Sequence, residues 1–284
     1  MLDIFSPLSR AARLENRASY QKFLLARDGI VDVAKRTLTL REEGMARYAR
    51  PLSRVREMDR SLFEAQYASF NPDIETPPEI LLLIALVKVN AVESFGVNQT
   101  YEKVFRRAVK HDDTLDLALL IEETYHTRIL LSAAVLYGIE VTTPFKPPAA
   151  LRALFGSIAL SPEFMSRPLT LVGEILGTLV FLNLLGKCRD VLRHDPELRD
   201  SVEERVCEIM IDEIGHVSFN RMCLGAAGLA QARVLLPIVA MGLARTSPEL
   251  RALGAMSSAS GSEMTALTSG KGLPEHVRKA AFFS

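Results

Sequence analysis

Two stretches constrain this chain more than any others: Glu122-Glu123-Thr124-Tyr125-His126 and Asp212-Glu213-Ile214-Gly215-His216. Each is Glu-x-x-His with a second acid directly before the Glu, and each lies in apolar sequence of helical period. Residues i and i+3 share one face of a helix, so each pair aims a carboxylate and an imidazole at one point. A single pair arises easily as a surface Glu beside a core His. Two pairs, both with the extra acid, predict helices that meet around a buried polar site.

Two more acids sit where a charge is costly unless paired or metal-bound. Glu93 lies in Val89-Asn90-Ala91-Val92-Glu93-Ser94-Phe95, and Glu174 in Val172-Gly173-Glu174-Ile175-Leu176. Glu93 and Glu123 are 30 positions apart, and Glu174 and Glu213 are 39 apart. At ~1.5 Å per residue, an antiparallel helix pair with a short loop places residues so spaced at one height. Four helices can thus gather four carboxylates and two imidazoles. Glu102, Glu163, Glu204 and Glu208 compete poorly, and the last two read as solvent-facing or capping. An oxygen-rich set with one His per ion suits iron or manganese better than zinc, and four carboxylates balance two divalent ions. A metal-bound His gives its other N–H to an outer acceptor. Glu122 and Asp212 are placed for that crosswise, Glu122 with His216 and Asp212 with His126.

The chain order predicts an all-α protein, one helical domain over 1–284 with its metal-binding core about 77–224 and accessory helices in 1–75 and 230–284. Helices are expected over Leu8–Arg27 and Ile30–Ala49. Thr76-Pro77-Pro78-Glu79 starts a long helix to about Phe105, and Asp112 or Asp113 caps the next, Thr114 to Ile139. Thr143-Pro144-Phe145 and Lys146-Pro147-Pro148 open a crossover with a short helix near Ala149–Phe155. Leu169 to Arg189 follows. Ser201-Val202-Glu203-Glu204 reads as a capping box for the fourth long helix. A fifth, Ala230 to Ala244, contains Pro237. Ser247-Pro248-Glu249 begins a short one, Met256 to Gly272 reads as mobile, and an amphipathic tail spans Pro274 to Phe283. No strand is evident.

Composition narrows the partners. The chain has 284 residues, 48% of them hydrophobic, and a formal net charge of zero. Nothing favours nucleic acid. Cys188, Cys207 and Cys223 form no C-x-x-C, so neither a disulfide framework nor an iron–sulfur site is expected. No signal peptide is apparent, and a cytoplasmic protein is expected. Leu169 to Gly186 is apolar but carries Glu174, and reads as a buried helix, not a membrane span.

The series Glu93, Glu123-x-x-His126, Glu174, Asp212-Glu213-x-x-His216 resembles the ferritin-like di-iron carboxylate proteins, over roughly residues 80–224. It is most similar to their oxygen-activating branch: monooxygenase hydroxylases, ribonucleotide reductase small subunits and arylamine N-oxygenases. The resemblance implies a ferritin-like four-helix bundle with a long crossover, binding two Fe ions, with Mn allowed in one position. Position 130 is Leu where the reductase has its radical Tyr, and position 209 is Ile where the N-oxygenases carry an extra His. Thr178, one turn after Glu174, matches an active-site Thr of the hydroxylases and is the candidate catalytic residue. A Thr that only bonds its own helix carbonyl is an equally good reading. Gly96, Gly173 and Gly177 either make room for substrate or let helices approach.

The expected function is therefore a di-iron oxygenase or oxidase acting with O₂ on a small organic molecule. No nicotinamide or flavin fingerprint is present, so an external electron donor, a ferredoxin or flavoprotein, is expected. A homodimer is left open. The alternatives are a ferritin-like iron-binding or ferroxidase protein without organic substrate, and a metal-free helical scaffold.

Overall fold

A computed structural model describes residues 3–111, 114–141, 146–256, 259 and 261–284. The expected cap at Asp112 or Asp113 and the Thr143-Pro144-Phe145 break lie outside these. The described residues are predominantly helical, as expected of an all-α chain.

Four long helices set the architecture: α4 (Pro78–His111), α5 (Thr114–Val135), α7 (Glu163–Val191) and α8 (Pro196–Cys223). They pack as a ring, α4 on α5, α5 on α8, α8 on α7 and α7 on α4. α6 (Ala149–Leu160) lies in the α5-to-α7 crossover and packs on both α4 and α7. α8 is the axis of the molecule, buried almost continuously from Arg205 to Met222. Its inner neighbours include α1 (Arg10–Asp28) and the C-terminal α12 (Glu275–Ala280). Tyr20 of α1 stacks on Phe219 with ring centroids 5.6 Å apart, and Phe282 closes on Tyr20 at 5.0 Å. α1 and the C-terminal segment around Phe282 therefore meet on the same side of α8.

Several local expectations change. Ile30 to Ala49 is not one helix. Strands β1 (Val31–Asp32) and β2 (Thr37–Leu38) form an antiparallel hairpin, followed by α2 (Thr39–Gly44) and a 3₁₀ turn over Met45–Ala49. The causes are local. Gly29 takes φ 83°, where a Cβ would lie 2.3 Å from Thr39 Oγ1. The Asp32 carboxylate accepts from Lys35 N at 3.0 Å, an Asx-type turn that competes with helix. Thr76 does not cap α4, because its hydroxyl accepts from Gln66 and donates to Ile74 O. α8 begins before the Ser201 box: Asp195 accepts from Leu198 N at 3.1 Å, and Pro196 occupies the first turn, where its missing N–H costs nothing. Ser201 instead accepts from buried Arg205.

α3 (Arg60–Ala68) precedes α4; α9 (Ala226–Thr246, containing Pro237), α10 (Pro248–Leu253) and α11 (Gly261–Ser269) follow α8. α11 replaces part of the segment expected to be mobile, and Leu267 on it is buried. By length and apolar composition, α4, α7 and α9 are each long enough to cross a membrane. α4 and α7 carry Glu93 and Glu174, whereas α9 leaves Val234, Ile238 and Met241 exposed.

Candidate metal centre

The ring brings all six expected ligands to one level. Glu93 comes from α4, Glu123 and His126 from α5, Glu174 from α7, and Glu213 and His216 from α8. They form two groups of four, Glu93–Glu123–His126–Glu213 and Glu123–Glu174–Glu213–His216, with ligand atoms in each within 4.8 Å of one another. Glu123 and Glu213 belong to both. The two imidazole rings lie 5.7 Å apart.

The histidines show how the pocket is poled. His126 Nε2 lies 3.1 Å from Asp212 Oδ2, and His216 Nε2 lies 3.1 Å from Glu122 Oε2. Both crosswise contacts are therefore present. Each carboxylate accepts a hydrogen bond from Nε2–H, which leaves Nδ1 facing inward. His126 Nδ1 is 3.1 Å from Glu213 Oε1, and His216 Nδ1 is 2.9 Å from Glu123 Oε1. Neither Nδ1 makes a hydrogen bond, and buried Glu93 Oε2 makes none either. Inward nitrogen lone pairs against carboxylate oxygens repel unless a cation lies between. The donor set thus fits a metal, by its unpartnered atoms as much as by its composition.

Protonation is the metal-free answer to the same problem. Burial, then the charges of Glu213 and Glu123, push the Glu93 carboxyl well above its ordinary range. Burial and the Glu123 charge push Glu213 up to about 8. Burial alone would raise Glu123 too, but contacts with His126 and His216 hold it below the usual range. For both imidazoles the penalty of burial is outweighed by their carboxylate neighbours, Asp212 and Glu123 for His126, Glu122 and Glu123 for His216. Both are raised well above the ordinary value.

An arginine layer lies outside the centre, and nothing in the local sequence pointed to it. Arg27 Nε of α1 donates to Asp212 Oδ1 at 2.9 Å, and Arg41 of α2 donates to Asp212 Oδ2. Both also bond Glu208, which Arg47 reaches at 2.6 Å. Glu208 is thus a largely buried partner, not a solvent-facing residue. Burial would raise Asp212, but Arg27 and Arg41 hold it well below the carboxylate range. Burial, with the charges of Glu122 and Asp212, pushes nearby Asp28 up to about 9. Arg27, Arg41 and Arg47 thus surround the Asp212 and Glu208 carboxylates with opposite charge. Tyr125, between the α5 ligands, accepts from Leu38 N of β2 at 3.1 Å, so the hairpin also braces the site.

A cavity of about 760 Å³ reaches the centre, with Glu93, Glu123, Glu174, Glu213 and His216 in its wall. The rest of the wall is mostly apolar, for example Val92, Val97, Leu119, Leu151 and Phe155. Of the three glycines near the ligands, Gly96 permits close approach, because a Cβ there would lie 2.7 Å from Phe155. Gly173 faces open space, and a Cβ on Gly177 would stand 3.9 Å from Glu213 Oε2. Thr178 is fully buried and donates to its own helix carbonyl, Glu174 O, at 2.7 Å. It is not among the cavity-lining residues, so it has the helix-internal role and no catalytic role is assigned to it.

The chain matches no protein-family model, no curated protein and no solved structure.

Proposed function

We propose that this chain is a ferritin-like di-metal carboxylate enzyme of the oxygen-activating kind, an oxygenase or oxidase acting on an organic molecule. The observation that carries the reading is that two four-residue donor sets, sharing Glu123 and Glu213, open directly onto a large apolar cavity. The ring α4–α5–α8–α7 with α6 in its crossover then corresponds to a ferritin-like bundle. Two Fe ions suit the set, one His and a surplus of carboxylate for each, and Mn is acceptable at one position. When bound, the pair supplies the redox chemistry that lets O₂ oxidise an organic molecule.

The chain's own residues do the rest. Glu93, Glu123 and His126 hold one ion with Glu213; Glu174 and His216 complete the other with the two shared glutamates. Asp212 and Glu122 fix the Nε2–H tautomers and keep both Nδ1 lone pairs pointed inward. The apolar wall excludes water, which strengthens every electrostatic contact inside.

Hydroxylation converts R–H, O₂, two electrons and two protons into R–OH and water. The two electrons come from an external ferredoxin or flavoprotein, since the three free cysteines do not provide an iron–sulfur ligand set. The test is stopped-flow mixing of Fe(II)-loaded protein with O₂. The enzyme reading expects two irons oxidised once per chain, with repeated turnover only when substrate and donor are supplied. Uptake of many irons per chain, with no cycle under any donor, identifies iron storage instead.

A further inference from the structure

The cavity is far from round. A sphere of 760 Å³ is about 11 Å across, yet the lining runs along α4 from Lys88 to Arg107, roughly 28 Å at the helical rise. Its two ends differ. Lys88, Ser247 and Glu249 are all about 5% exposed or less, with Lys88 Nζ 3.7 Å from Glu249 Oε2, so that end is closed. At the other end Lys103 and Glu163 are exposed and Arg107 is half-buried, so that end opens to solvent. Between them the wall is mainly aliphatic and aromatic, broken on one side by the carboxylates of the metal centre. Glu93 stands five residues from the closed end and ten from Lys103, about 15 Å from the rim along the helix.

The rim carries a cation with no acid of its own. Lys103 Nζ donates to Ala159 O at 2.6 Å and Ser161 O at 3.0 Å. Among the described residues no carboxylate lies at ion-pair distance from it, whereas Arg107 and Arg167 are both matched by Asp116 and Glu163.

We propose that the substrate is a long-chain amphiphile, an extended aliphatic chain ending in an anionic head such as a fatty acid. The chain enters tail first. Its head stays at Lys103, and the chain passes Glu93, Glu174 and Glu213 toward the closed end at Lys88. A compact ring system would leave most of the length unfilled. Calling this molecule a substrate rests on the oxygenase reading; its binding does not.

The test is equilibrium binding to the metal-loaded protein, by displacement of a fluorescent fatty acid. The probes are saturated fatty acids from eight to about eighteen carbons, the primary alcohols of matching length, and naphthalene as a compact apolar ring. Each buried methylene is expected to tighten binding by up to about 4-fold until the closed end is reached. Gly173→Phe, which places a ring where the structure has open space, is expected to weaken the longest acids at least tenfold without changing the metal content. Lys103→Met is expected to weaken the acids and leave the alcohols unchanged. Binding that does not depend on chain length, or naphthalene binding as tightly as the longest acid, overturns the proposal. If Gly173→Phe does not fold, the chain-length series on the parent protein decides alone. Length-dependent binding by a protein whose Fe(II) form ignores O₂ retains this proposal and removes the oxygenase reading. Oxygen reactivity without length dependence does the reverse.

Discussion

Asp212 Oδ2 stands 3.1 Å from His126 Nε2 while Arg27 and Arg41 hold the same carboxylate from the other side. A buried anion thus orients the imidazole, and two cations from the N-terminal helices keep that anion ionised. α1 and α2 therefore support the candidate metal centre through Arg27 and Arg41.

Asp212→Asn keeps the shape but removes the charge that fixes the His126 tautomer. Metal affinity should fall roughly 10–100-fold, as it does when outer partners of a ligating His are lost. Glu122→Gln should act likewise through His216. Competition with a chelator of known affinity measures both. An affinity equal to the parent's in both variants would show that the crosswise contacts do not orient the ligands.

Arg41→Met leaves Asp212 and Glu208 short of a cation in a buried setting. Breaking a buried pair this way costs about 3–5 kcal/mol. Arg128→Met removes a partner of Glu42 in a pair whose side chains are 48% and 44% exposed, and such pairs contribute under about 1 kcal/mol. Denaturant unfolding of the metal-free proteins compares them. Equal losses in the two variants contradict the assigned role of Arg41.

Metal binding should be linked to pH. In the metal-free protein the Glu213 carboxyl titrates at about 8, and Glu93, His126 and His216 are all raised. A divalent ion must displace those protons, so affinity rises with pH and the rise slackens once Glu213 ionises above about 8. Calorimetric titrations in buffers of different ionisation enthalpy count the protons released. A proton count of zero near neutrality speaks against the ligand set.

Much of this was readable because it is periodic. Glu-x-x-His on an apolar helix fixes a face, and the intervals Glu93 to Glu123 and Glu174 to Glu213 fix a height, so the ligands and their crosswise partners follow from helix geometry. The arginine layer has no such signature: Arg27 and Asp212 are separated by 185 positions, Arg41 and Asp212 by 171, and only the tertiary fold joins them. The hairpin after Gly29 was hidden because Ala, Lys, Arg and Leu there have good helix propensity, while a positive φ and an Asx turn override it. The box at Ser201 lost to Asp195-Pro196 because both are good helix starts and the earlier one gains an extra turn of buried contacts through Leu198. Thr178 has a hydroxyl at a suggestive position, but on a helix the nearest acceptor is its own carbonyl four residues back.

The central claim is that Glu123 and Glu213 are shared between two ions. Metal analysis of Fe(II)-loaded parent, His126→Ala, His216→Ala and Glu213→Ala tests it most directly. The account predicts two irons per chain in the parent, a loss centred on one ion in each His variant, and loss of most of both in Glu213→Ala, with all four proteins folded by circular dichroism. Two irons retained in Glu213→Ala, or none bound by the parent, would contradict it.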